Sequence, residues 1–420
     1  MMSSVSGYTG SIEWHSDNKK RQPFVLGLHE EDWKSRTPMN REVCMIKLEE
    51  DITNKPHWWE KVLNTDIDSK WKQEALQMSW ASYQHNGNFT SKMADMCFKD
   101  LVTKARNYEQ TKLIPVMESS ACAIKSDALL SNELMQRLRA AAALLEDVPE
   151  FQRDWHPGSD EKVLDLVHTS LWPLVFGRSR IVSGKYVTLD KCLDHCGSGK
   201  VIPDPKRPYL TMPNGFQSST EDSDKIGRPR IKSYINNLHP VRYKAVYSLI
   251  EELIAKSLPA WDIVCRSARK EFRFKRSGTV HGVKWTCNVP EICAKMHGCY
   301  PSSRSFAQGE DYDSGSETIS VFEEGRKVEQ GMVIQVIVKM GNIYLTPKKS
   351  KYDGGSWYVE GQLNEHICAT ALFYYDSDNI TKSRLSFRNH ADRDNLRDRL
   401  SYSQGDHHGI QTIFAIKIKG

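Results

Sequence analysis

The chain has no apolar run long enough to cross a membrane as a helix, which takes about 20 consecutive residues. The best stretch, "LDLVHTSLWPLVFG", is interrupted by His168 and Pro173. The opening residues, "MMSSVSGYTGSIEWHSDNKKRQ", have no apolar leader segment, no small-residue cleavage site and no arginine-rich amphipathic pattern. A cytoplasmic protein is therefore expected. The ten cysteines are scattered without the dense spacing of a disulfide framework, in keeping with a reducing compartment. Charge of one sign is also scarce: 58 basic side chains face 53 acidic ones, a net +5, too weak a field to demand a polyanionic partner. No internal repeat is visible.

What is present is enough apolar residue, 39% of 420, to bury a substantial core. Residues 1–40 are polar and aperiodic and read as a tail. Residues 41–200 read as a mainly helical region, and "SNELMQRLRAAAALLEDV" is its best case. There Ser131 suits a cap, Glu133 suits the first turn, and Leu134, Leu138, Ala141 and Leu145 form one stripe. Turn signals follow in "WHPGSD" and "GSGK". Residues 201–230, with prolines at 203, 205, 208, 213 and 229, read as a long surface loop.

Residues 231–420 read as a β domain. "RIKSYINNLHP" alternates as a strand ending at Asn236 and Asn237, and the helix after it buries Tyr243, Val246, Ile250 and Leu253 until Pro259 ends it. "MVIQVIVKMGNIYL" reads as one bent strand or two, Ile367–Tyr375 as an apolar strand, and "TIFAIKIK" as an alternating one. Helices first and strands later favour an α+β fold with helices packed on a β core.

Several groups are candidates for chemistry. Cys192, His195 and Cys196, and Cys287, Cys293, His297 and Cys299, supply zinc-type donors but lack the paired spacing of a compact zinc knuckle. "RSARKEFRFKR" sets Arg266, Arg269, Lys270, Arg273, Lys275 and Arg276 around Phe272 and Phe274, a mixture suited to a nucleic-acid or scaffold surface. Acidic residues elsewhere cancel most of that field, so nucleic acid is not the expected partner.

The blocks "MNREVCMIKLEEDITNKPHWWEKV", "IPVMESSACAIKSDALL", "LEDVPEFQRDWHPGSDEKVLDLVHTSLWPLVFGRSR", "RIKSYINNLHPVRYKAVYSLIEELI", "GNIYLTPKK" and "GGSWYVEGQLNEHICATALFYYDSDNITKSRLSFR" occur in this order. They resemble a fungal family known as domain of unknown function 4246, from about Met39 to about His408. That family in turn resembles the non-haem iron, 2-oxoglutarate-dependent oxygenases. The resemblance implies a helical N-terminal half packed on a partial double-stranded β-helix, a jelly-roll-like core. It also implies Fe(II) and 2-oxoglutarate as cofactors and a small-molecule substrate.

The implied chemistry needs two histidines and a carboxylate on iron. The first histidine and the carboxylate of the family stand in W-H-V-E-G, and the match here is Trp357, Tyr358, Val359, Glu360 and Gly361. Tyr358 thus occupies the histidine position, and Glu360 is the remaining carboxylate. The family's distal histidine and 2-oxoglutarate-binding arginine fall beyond the point aligned with His408, where "IQTIFAIKIKG" does not resemble the expected continuation, so the chain reads as C-terminally truncated. One rescue pairs His407 with Lys417. The expectation is an incomplete oxygenase relative with no 2-oxoglutarate turnover. Two other readings stand beside it. One is an oxidative tailoring enzyme of fungal secondary metabolism that rebuilds a metal centre from Glu360 with His366, His390, His407 or His408. The other is a binding or scaffold module using the basic surface.

Overall fold

The computed structural model describes residues 37–84, 87–116, 123–169, 171, 173–175, 177–183, 186–203, 216–219, 229–231, 234–268, 278–279, 282–286, 303–307, 311–312, 333–357, 367, 369–388 and 414. It mixes helices with small antiparallel sheets, and the helices dominate the N-terminal half. Five come first: α1 (Asn40–Thr53), α2 (Trp58–Lys61), α3 (Thr65–Gln77), α4 (Trp80–Tyr83) and α5 (Ser91–Thr111).

Local chemistry starts these helices. The Met39 N–H donates to the Glu42 carboxylate at 2.9 Å, Asn64 Oδ1 accepts from the N–H groups of Asp66 and Ile67, and Thr90 Oγ1 accepts from that of Met93. Along α5, Met93, Met96, Cys97, Leu101, Ala105 and Tyr108 recur at helical spacing and are all buried. They meet Cys44, Met45, Leu48 and Ile52 of α1, with Trp58 and Trp80, in a first core. Burial pushes the Cys44 thiol up to about 11.

A hairpin of β1 (Ile114–Val116) and β2 (Ala123–Lys125) leads to α6 (Asn132–Glu146). Here the expectation holds closely: Ser131 Oγ accepts from Leu134 N–H at 3.2 Å, and Leu134, Leu138, Ala141 and Leu145 are buried. The chain then forms β3 (Asp154–Trp155), β4 (Val163–Val167), β5 (Arg180–Ile181), β6 (Lys200–Val201), β7 (Phe216–Ser219) and β8 (Arg230–Ile231). β7 lies inside the stretch expected to be only a proline-rich loop; it pairs with β8 and with a later strand.

Of the strand expected to end at Asn236 and Asn237, Arg230–Ile231 forms β8, whereas residues 235–238 form a turn. An isolated bridge between Ile235 and Leu238 closes a turn over Asn236 and Asn237, with Asn237 left-handed at φ 61°. Asparagine tolerates that conformation better than most side chains. Next comes α7 (Lys244–Ala268), which continues through Pro259 rather than ending there. Proline removes one backbone donor and crowds the preceding turn. Packing offsets this, because Ile263, one turn beyond, is buried against Leu113, Ile124, Leu129 and Ala260.

The remaining strands are β9 (Gly278–Thr279), β10 (Gly282–Thr286), β11 (Ser303–Ala307), β12 (Asp311–Tyr312), β13 (Val333–Val336) and β14 (Met340–Ile343). "MVIQVIVKMGNIYL" is thus two strands, and they join different sheets: β13 pairs with β7, and β14 with β4. Among the described residues no sheet exceeds three strands, and the described strands form no double-stranded β-helix. No helix among them is long and apolar enough to cross a membrane.

Residues 369–376 correct another expectation. They form no ladder, yet their exposure alternates along the chain, with Ala371, Phe373 and Tyr375 turned inward. Phe373 and Tyr375 pack on a second core built from α6, α7, β4 and the 235–243 segment. The expected strand is therefore an extended segment held by its side chains and not by a backbone partner. Phe414, the described residue of the expected terminal strand, is buried and helical.

Candidate metal centre

The three-stranded sheet β14-β4-β3 carries the most reactive grouping among the described residues. Its register pairs Trp155 with Leu164 and Leu164 with Asn342, so these share one face; Asp154, Asp165 and Gly341 share the other. His156 follows β3 by one residue, and period-two alternation brings it to the Asp165 face. Its Nδ1 lies 2.9 Å from Asp165 Oδ2. His168, the residue after β4, sets its ring edge-on to that of His156, with centroids 6.1 Å apart. One donor atom from each of His156, Asp165 and His168 falls within 4.8 Å of the others.

Three local features fix these positions. The turn between β3 and β4 runs through left-handed Gly158, Asp160 and Glu161, and the glycine there has φ 78°. Lys349 Nζ anchors the turn by donating to the Asp160 carbonyl at 2.8 Å and to Glu161 Oε2 at 3.2 Å, and this ammonium holds the Asp160 carboxyl below its ordinary range. On the other side, Asn236 Nδ2 donates to the Thr169 carbonyl and Asn237 Nδ2 to the Leu166 carbonyl, each at 2.7 Å. The backbone on both sides of His168 is thereby held in place. Opposite Asp165, Gly341 leaves room: a Cβ there would stand 3.0 Å from the Leu164 carbonyl oxygen and 3.6 Å from Asp165 Oδ1.

The other face of the sheet is different in character. Glu146, Arg153, Trp155, Leu164 and Tyr344 line a shallow hollow. Beside it, Asn342 joins Glu146, Tyr344 and Tyr375 by hydrogen bonds, and burial pushes the Tyr375 phenol up to about 12. Asn342 and both phenols are neutral at ordinary pH, and the Glu146 carboxylate accepts from Asn342 Nδ2, so the network ties α6 to the sheet.

Tyr358 and Glu360 lie outside the described residues, as do His366, His390, His407, His408 and Lys417. The same holds for Cys287, Cys293, His297 and Cys299, and for the basic stretch from Arg269 to Arg276; Arg266 falls in the backbone of α7. Cys192 and Cys196 are exposed free thiols, and with His195 they do not assemble a three-donor group. The grouping that does assemble was overlooked in the sequence, where His156 counted only as part of a turn and His168 only as a break in an apolar run. The available signal was weak: a histidine just before a glycine-containing turn, with an aspartate and then a histidine shortly after it, places these residues near one hairpin.

The chain belongs to the family described as a protein of unknown function (DUF4246), whose model matches residues 91–419; the model of that family's N-terminal domain matches residues 5–74. The match extends beyond the Met39 to His408 span at both ends. No curated protein and no solved structure matches the chain.

Proposed function

We propose that this DUF4246 member is a relative of the non-haem iron, 2-oxoglutarate-dependent oxygenases that does not turn over 2-oxoglutarate. The observation that carries the reading is Tyr358 in "WYVEG". A histidine there would offer a neutral nitrogen to ferrous iron, whereas a phenol, with an ordinary pKa of about 10, must first lose its proton. A tyrosinate also favours ferric iron. Phenol plus Glu360 is therefore a poor donor set for Fe(II), and no catalytic step is assigned to iron or 2-oxoglutarate at this position.

The neighbouring chain supports the β-type ancestry in this reading. Residues 369–376 keep strict inward and outward alternation, as a barrel strand does, and they seat Phe373 and Tyr375 on the second core. Trp357, just before Tyr358, is 55% exposed and lies 4.2 Å beneath the Arg388 guanidinium. A cation stacked on indole is a surface contact and contributes no ligand to a metal.

The test is 2-oxoglutarate decarboxylation by the purified full chain supplied with Fe(II). We expect a rate equal to that of Glu360→Ala. Turnover in the wild type that Glu360→Ala abolishes would overturn the reading and favour a tailoring enzyme acting on a small molecule. Conversely, Tyr358→His should raise affinity for Fe(II) by about tenfold or more, since it restores one neutral nitrogen donor.

A further inference from the structure

We infer that His156, Asp165 and His168 form a binding site for one borderline divalent transition-metal ion, of the Zn(II), Co(II) or Ni(II) type. This does not rest on the oxygenase reading, which concerns Tyr358 and Glu360. Donors around such an ion sit about 2.0–2.2 Å from it, so neighbouring donors are roughly 3–3.5 Å apart. His156 Nδ1 and Asp165 Oδ2, 2.9 Å apart, already lie close to the spacing of two neighbouring donors. With all three donors inside 4.8 Å, any pair still at that limit has to close by about 1.3–1.8 Å to reach this spacing.

The donors are presented by a braced scaffold. Asn236 and Asn237 fix the backbone around His168, and Lys349 fixes the turn beyond His156. Such bracing lowers the entropy lost when donors gather on an ion. Exposure is graded in a useful way: the Asp165 side chain is 12% exposed and that of His156 is 49% exposed. The carboxylate is sheltered enough to feel the ion strongly, while the open side at His156 admits it.

Two imidazoles and one carboxylate favour borderline transition metals over Mg(II) or Ca(II), which prefer oxygen alone. In the Nδ1–H tautomer, the 2.9 Å contact between His156 Nδ1 and Asp165 Oδ2 is bridged by the ring proton. The ion takes its place, and the ring proton moves to Nε2, so no net proton is lost from a neutral imidazole. Three protein donors leave at least one position for water or an exchangeable ligand.

The test is Co(II) titration of the chelator-treated full chain, followed by visible absorption and by calorimetry. The wild type should bind one equivalent with d–d bands and without the thiolate charge-transfer absorption that cysteine donors give. His168→Ala and His156→Gln should each weaken that binding by about 100-fold or more; the glutamine can still donate to Asp165 but offers no imidazole. Asp165→Asn should weaken it comparably, while His195→Ala should leave it unchanged. Co(II) should also raise the melting temperature of the wild type and not that of His168→Ala. No binding by the wild type, a thiolate-ligated spectrum, or affinity retained in the folded His156→Gln or His168→Ala protein would overturn the inference.

Discussion

The two larger cores among the described residues bury comparable kinds of apolar side chain but are assembled from segments at different distances along the chain. The first, from α1 to α5, is assembled from helices that are neighbours in sequence, and its stripes recur at helical spacing. The second draws on α6, β4, the 235–243 segment, α7 and the extended 369–376 segment, which are scattered over more than half of the chain. Polar side chains tie that second core together: Tyr247 accepts from the Ile235 N–H and donates to the Leu238 carbonyl, and the Asn236 and Asn237 amides reach back to β4. The lesson is that the chemistry sits where distant segments meet. Both cores use directional hydrogen bonds between elements, since in the first Gln84 Nε2 donates to Asn40 Oδ1 at 3.0 Å and Lys104 Nζ to Glu49 Oε2 at 2.7 Å, so the difference lies in how far apart along the chain the packed apolar segments stand.

The largest test of this contrast is cavity formation in each core. Trp58→Ala in the first and Leu138→Ala in the second should destabilise the protein by about 3–5 and about 2–5 kcal/mol respectively, read from chemical denaturation. If the cores differ as argued, Leu138→Ala will also weaken Co(II) binding and Trp58→Ala will not. Equal effects on the metal would erase the distinction between them.

A smaller effect is expected at Asn237. Asn237→Ala loses both the 2.7 Å bond to Leu166 and a residue tolerant of the left-handed backbone, and should cost about 2 kcal/mol. Asn237→Gly keeps the backbone freedom and loses only the bond, so its cost should fall to about 1 kcal/mol. Indistinguishable values for the two would show that the amide alone matters.

A pH-dependent effect is expected at the joint between the regions. Lys125 on β2 donates to Asn54 Oδ1 at 2.7 Å, at the end of α1, and burial pulls its pKa down from 10.5 to about 8. Between about pH 8 and 10.5 the unfolded chain therefore holds more protons at this residue than the folded one. Stability should rise with pH across that window, and Lys125→Met should flatten the rise. Melting temperatures at pH 7, 8.5 and 10 decide it, and identical profiles for both proteins would remove Lys125 as the cause.

Much of the helical half was legible without coordinates because its signals are local. Ser131 with the Leu134, Leu138, Ala141 and Leu145 stripe specifies α6 within its own 15 residues. Pro259 was misjudged, since a backbone cost of local origin was offset by burial of Ile263 against residues far along the chain. At 369–376 the apolar character was readable, but the alternating exposure and the lack of a ladder were not, because a pairing partner is never encoded in the strand itself. As for the candidate centre, Tyr358 and Glu360 drew attention through a family pattern, while His156, Asp165 and His168 carried no pattern strong enough to stand out.

Composition, caps and apolar spacing determined by themselves that this chain builds capped amphipathic helices before short strands, because those signals act over one or two turns. Tertiary structure alone decided that two histidines and an aspartate converge beside a small sheet. That convergence depends on the register across a tight turn and on hydrogen bonds from Asn236 and Asn237, 67 and 71 residues further along the chain. Contacts of that kind exist only once loop-closure entropy has been overcome by packing, so no local window of sequence contains them.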